Sequence, residues 1–328
     1  SEEEDGGEAA IKLYRDFHEQ YGKALKLGVI EDSKNRKKLS KLLRFQSTHT
    51  KDDEMVSLLR YVDRMKEGQK HIYYIAGARK SEVEASPFLE KLKKRGFEVL
   101  YMTDPIDEYA LQHMDEFDDH KLMNAAKEDL KFGDKEEKRE NKRREKAKEE
   151  LKDFTKWYKD LLSDQVEKIV MSNRLTSTAL TVVTGTYGYT ANMERLMKAQ
   201  ALNDPSKYQF MASKKTLELN PYHPIVLELA KRVADAPEDS QTKGLARMLW
   251  DTALIQSGFD VNDANDFSRN VMGMLKKGLS LDADAEAPTD EPEVEEEAEA
   301  AAADGDAAKG DAEEEEGGED SDDKKDEL

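Results

Sequence analysis

The sequence predicts a mixed α/β fold in two units, joined by a charged helical linker and followed by an acidic tail. Three observations predict it. Two short apolar runs between Ile72 and Met102 flank a helical stretch, as in a βαβ unit. Between Lys131 and Glu150 charges of both signs interleave without an apolar stripe, which divides the body into two units of ordinary domain size. From Leu281 to Leu328 there are 23 Asp or Glu against three Lys, whereas the remaining 280 residues hold 49 acids and 49 bases. The net charge of -20 therefore belongs to the tail and says nothing about the partners of the body. The expected divisions are 1–130, 131–152, 153–280 and 281–328.

The first unit opens with an amphipathic helix in which Tyr14, Phe17, Tyr21, Ala24 and Leu25 recur at helical spacing, with Gly28 read as its stop. Two more helices are expected, one carrying Leu39, Leu42 and Leu43, the other Met55, Leu58, Leu59, Val62 and Met65. The period then changes: Ile72-Tyr73-Tyr74-Ile75 reads as a buried strand closed by Gly77. Ser86-Pro87 is an N-cap followed by proline at the first helical position. Phe88, Leu89 and Leu92 give that helix its apolar face, Gly96 ends it, and Phe97 to Met102 is a second strand. Strand, helix and strand at this spacing make the two strands parallel. Asp104-Pro105 starts a further helix, with Asp107 completing a capping box.

The block from Lys131 to Glu150 places opposite charges three and four residues apart, which suits a solvated helix. Acids match bases throughout it, so nucleic acid is not an expected partner. The second unit begins with a helix near Phe154 to Leu162 and strands at Val166–Met171 and Ala179–Val183. Gly185-Thr186-Tyr187-Gly188 is read as a turn whose glycines adopt positive φ. After Asn220-Pro221-Tyr222-His223-Pro224 three helices close the unit. The last two carry apolar stripes, Leu245, Met248, Leu249, Thr252 and Ile255 on one and Phe267, Val271, Met274 and Leu275 on the other. Two short helices at the end of a small unit cannot hide both stripes alone. Pairing with the same helices of a second copy would form a four-helix bundle, so a homodimer is expected.

The tail lacks aromatic residues and is rich in Ala, Gly and acids, so it cannot bury enough to offset chain entropy and is expected to be disordered. Its carboxylates would bind Ca2+ weakly; Asp282-x-Asp284-x-Glu286 lacks the glycine and distal glutamate of an EF-hand. A calcium-buffering protein is the alternative reading. The last residues, Lys325-Asp326-Glu327-Leu328, match an address that a receptor reads to return proteins to the endoplasmic reticulum lumen. The chain opens Ser1-Glu2-Glu3-Glu4-Asp5 without a signal-like segment, so a C-terminal portion of a longer protein is expected. No apolar run approaches the ~20 residues of a membrane span, and membrane insertion is not expected.

Catalytic constellations are absent: no cysteine, no Gly-x-Ser-x-Gly elbow and no Walker loop occur, which argues against an enzyme. No metal site is expected either, since His113 to His120 reads as a solvated acidic turn. More distinctive are Tyr208, Phe210 and Met211, which sit between polar segments without regular alternation, and the flexible Met193 and Met197.

Residues 10–280 resemble the ninety-kilodalton heat-shock chaperones. The resemblance is carried by Glu31-Asp32-Ser33-Lys34-Asn35-Arg36, by Ile72 to Ile75, by Arg95-Gly96-Phe97 through Asp107-Glu108, by Ser172-Asn173-Arg174-Leu175, by Thr186 to Arg195, by Met197 to Ala201, and by Asn220-Pro221-x-His223-Pro224. The closing tetrapeptide points to the endoplasmic reticulum branch of that family. The resemblance implies that residues up to 130 end a middle domain and that 153–280 form a C-terminal dimerisation domain. It also implies that ATP binds only in the full-length protein, upstream of this chain, and that clients are partly folded secretory proteins. The segment around Tyr208, Phe210 and Met211 resembles the family's client-contacting surface, although Phe210 stands where relatives often carry Met or Tyr.

Overall fold

The computed structural model describes residues 2–51, 54–133, 135–200, 214–261 and 263–282. Helix α1 spans Glu2–Glu31, and α2 covers Arg36–Ser40. Gly28 does not end α1. A glycine inside a helix costs only about 1 kcal/mol, and here it lets Leu39 approach, since a Cβ at Gly28 would sit 3.1 Å from its methyl. The chain turns instead at Asp32, whose carboxylate accepts from the backbone N–H groups of Lys34 and Asn35. Strands β1 (Arg44–Ser47) and β2 (Val56–Ser57) stand where helix was expected around Leu43 and Met55, so α3 is confined to Leu58–Asp63.

Strand β3 (His71–Ala76), helices α4 (Lys80–Glu84) and α5 (Glu90–Arg95), and strand β4 (Val99–Met102) form the expected βαβ unit. Its strands are parallel, with Tyr73 opposite Val99. Ser86 caps the turn at Pro87, its Oγ accepting from Phe88 N, and Gly96 ends α5 at φ 65°. Helix α6 (Pro105–His113) starts on the expected box, with Asp104 N donating to Asp107 Oδ2 at 3.0 Å. The His113–His120 segment is a hairpin of β5 (Glu116–Phe117) and β6 (His120–Asn124), turning through Asp118 and Asp119 at φ 49° and 62°. The strand order of this sheet is β2-β1-β4-β3-β6-β5.

The strand period of two separates two cores. Tyr73, Ile75, Val99 and Tyr101 point to the side of Val83, Phe88 and Leu92, whereas Ile72, Leu100 and Met102 point to the side of Val29, Tyr61 and Ala110. The crossovers β3 to β4 and β4 to β6 run in opposite directions across the sheet. Right-handed connections therefore place α4 and α5 on one face and α6 on the other.

Helices α7 (Lys135–Glu150) and α8 (Lys152–Leu162) lead to a second sheet of β7 (Lys168–Met171), β8 (Leu180–Thr184) and β9 (Lys215–Leu219). Its order is β7-β9-β8, with β9 parallel to β7 and antiparallel to β8. Between β8 and β9 lies α9 (Ala191–Gln200); after β9 come α10 (Pro224–Asp235), α11 (Ser240–Gln256) and α12 (Ala264–Gly278). Tyr158, Leu162, Val182, Leu217, Leu229 and Trp250 share one core beneath α8, α10 and α11. Its polar atoms are satisfied: Tyr158 OH donates to Ala246 O at 2.6 Å and Trp250 Nε1 to Gln165 Oε1 at 2.9 Å. Both sheets lie within one compact unit, residues 1–283, and no described helix is long and apolar enough to cross a membrane.

Candidate functional site

Helices α10, α11 and α12 build an apolar groove of about 520 Å³. Four predicted residues on α11, Leu245, Met248, Leu249 and Thr252, line it together with Met274 of α12. Leu245 and Leu249 also touch the core beneath, so their positions are set from below. The Thr252 hydroxyl donates to Met248 O at 2.8 Å, so it brings no unpaired donor into the groove. The charged lining residues, Glu228 and Arg232, pair with each other at 3.0 Å. The surface is therefore both apolar and locally neutral.

Helix α12 extends this surface. Asp263 caps it by accepting from Asn265 N and Asp266 N at 2.9 and 3.0 Å, so it is well defined locally. Yet it has no buried residue. Of the predicted stripe, Phe267 and Val271 are half-buried, and Met274 and Leu275 are about half exposed, at 48% and 52%. Met272 and Leu279 add to the exposed apolar area, as does Ile225 on α10. Sequence reading missed Ile225, because its neighbour Pro224 marks it only as a helix start. Beside the stripe, burial and the nearby charge of Asp266 push the Asp251 carboxyl up.

The opposite side of the second sheet is closed by polar contacts that sequence reading did not find. Arg174 is fully buried. Its guanidinium pairs bidentately with Glu218 of β9 (Nε to Oε2 2.9 Å, Nη2 to Oε1 2.8 Å). It also donates to Lys127 O at 2.7 Å and to Ala125 O, both just beyond β6. Ser172 Oγ donates to the same glutamate at 2.7 Å. Nearby, the Glu90 carboxylate accepts from the backbone N–H groups and hydroxyls of Thr176, Ser177 and Thr178. Burial opposes its ionisation, but these donors prevail and hold Glu90 down at about 2. Glu108 of α6 accepts from Thr190 Oγ1 and Asn192 Nδ2 at the start of α9. The two sheets are thus tied at three points by carboxylates and one buried guanidinium.

Of the residues predicted to contact clients, Met197 is half-buried on α9; Met193, read as a flexible side chain suited to an adaptable surface, lies in the interior at 3% exposure. Tyr208, Phe210 and Met211 fall outside the described residues. Gly185 to Gly188 does form a turn, closed by Gly188 N to Gly185 O at 2.9 Å. Neither glycine adopts positive φ, however; the Lys127 ammonium gathers the carbonyls of Gly185, Thr186 and Gly188 instead. Tyr187 at its tip is fully exposed. The tail beyond Asp282, with Lys325 to Leu328, also lies outside the described residues, and no cluster of potential metal ligands occurs among the described ones.

Residues 1–310 match the family profile described as "Hsp90 protein". Among curated proteins the chain is similar to "Endoplasmin homolog" of Arabidopsis thaliana and of Catharanthus roseus, each 44% identical over 273 residues. These alignments cover 82% of this chain and 32% of each relative, so the chain spans about a third of their length. It is also similar to "Heat shock protein 83" of Leishmania donovani, 46% identical over 269 residues, with 59% of that protein covered. With the family profile covering nearly all of the sequence, the chain belongs to the Hsp90 protein family.

Proposed function

We propose that this chain is the dimerising, client-holding part of a chaperone of the endoplasmic reticulum lumen. The observation that carries the reading is α12, a capped helix with no fully buried side chain that lies beside an apolar groove. A surface of this kind marks an interaction site. A second copy related by two-fold symmetry would lay α11 and α12 against their counterparts and cover both stripes. The relatives named endoplasmin homolog and the closing Lys325-Asp326-Glu327-Leu328 support the lumenal setting and recognition by a retention receptor. ATP turnover belongs to the longer protein. The acids of residues 281–328 add weak calcium binding.

Clients are held by Tyr208, Phe210 and Met211, with Met197 contributing from α9. In a dimer two such segments capture a client bivalently, without a tight single site that would hinder release. Replacing Phe210 and Met211 by serine should reduce suppression of client aggregation about twofold or more, while the mass in solution stays unchanged. Undiminished suppression by a folded variant would remove the client assignment.

A further inference from the structure

Helix α7 carries charges in an order that should pair them within the helix. Arg143 and Arg144 follow Glu140 by three and four residues, the separations at which side chains meet. The structure draws Glu140 away. Its Oε1 lies 2.8 Å from Lys91 Nζ and its Oε2 2.6 Å from Arg95 Nη2, both on α5. Arg143 and Arg144 therefore have no carboxylate within ion-pair distance among the described residues, and neither does Lys94. All three line one cleft of about 290 Å³ between α5 and α7, where they and Lys91 face Glu140 as the single acidic residue. Glu90, one turn before Lys94 on α5, is committed to the 176–178 loop, and Glu137, Glu145 and Glu149 line a separate cavity that Arg144 also borders.

We propose that this cleft binds a compact, multiply charged oxyanion of the phosphate class. Two guanidiniums on adjacent residues and an ammonium from the facing helix approach a small volume from different directions. Guanidinium forks match the oxygen geometry of phosphate, and charge-assisted bonds of this type are the stronger ones. A concave site in which four cations outnumber the single carboxylate of Glu140 concentrates an anion. Binding also relieves the mutual repulsion of cations whose carboxylate has been taken by Lys91 and Arg95. The site is independent of the apolar face of α11 and α12.

The test is calorimetric titration of the full chain with sodium pyrophosphate at millimolar concentration, with ionic strength held constant by sodium chloride. Saturable binding is expected. Arg143→Gln/Arg144→Gln should weaken it about tenfold or more, and Lys94→Gln should weaken it less. Lys37→Gln/Lys38→Gln, two exposed cations on α2, should leave it unchanged. Arg143 is exposed and Arg144 half-buried, so the double variant should keep its fold, checked by circular dichroism. Absence of saturable heat would overturn the proposal. So would an unchanged affinity in the Arg143/Arg144 variant, or equal weakening by the α2 variant, which would reduce the effect to general surface charge.

Discussion

The junction between the two sheets and the helix pair at the end of the body solve opposite problems. At the junction, charged and polar side chains are buried or half-buried and meet one another: Arg174 with Glu218, Glu90 with three successive residues, Glu108 with Thr190 and Asn192. Along α11 and α12, apolar side chains such as Ile255, Met272, Met274 and Leu275 are left about half exposed. A buried ion pair is costly unless its geometry is complete, so the junction can hold only in one arrangement. An exposed apolar stripe is costly until something covers it. The first region is finished within one chain; the second, on the function proposed above, is completed by a second copy.

The largest effect expected from breaking this contrast is at Arg174. Arg174→Met leaves Glu218 buried and unpaired, and should cost about 3–5 kcal/mol in urea denaturation. Arg174→Met/Glu218→Leu should cost clearly less than that single change, because no charge is then stranded. Equal losses would mean that the pair matters through packing alone.

Glu90 gives a smaller, pH-dependent effect. Its folded value, about 2, lies below the ordinary 4.5, so its stabilisation is complete above the ordinary value. It is lost as pH falls from there towards the folded value. Glu90→Gln should lower stability by about 1 kcal/mol near neutral pH, since the site is partly solvated. The gap from wild type should narrow as pH falls from 4.5 towards about 2, the span of the two values; a gap independent of pH would place the effect in shape rather than charge.

The smallest effect on the fold should come from the other region. Met274→Ala removes an exposed side chain and should change the monomer's stability by less than about 0.5 kcal/mol. It should weaken self-association all the same. A loss of several kcal/mol at a concentration where the chain is monomeric would show that α12 is held by its own chain.

The contrast also explains what was legible in the sequence. The βαβ unit was, because Ile72–Ile75 and Val99–Met102 are buried on both faces and read as continuous apolar runs. The stripes on α11 and α12 were, because apolar spacing is a local signal. Strand β9 was not: Lys215-Thr216-Leu217-Glu218-Leu219 puts a carboxylate at the centre of a buried strand. That placement is stable only through Arg174, 44 residues away, a pairing that no local pattern contains. Strand β1 offered Phe45 as its one large apolar residue among Arg44, Gln46 and Ser47. Gly28 misled because its role is tertiary, admitting Leu39, rather than terminal.

The central claim, that a second copy covers the apolar face of α11 and α12, is tested most directly by the mass of the chain in solution. Light scattering at micromolar concentration should give twice the chain mass of 37.3 kDa. Leu249→Glu places a charge in the groove and should return the mass to that of one chain, with the circular dichroism spectrum unchanged. A wild-type chain that remains a monomer throughout this range, or a Leu249→Glu variant that still doubles its mass, would contradict it.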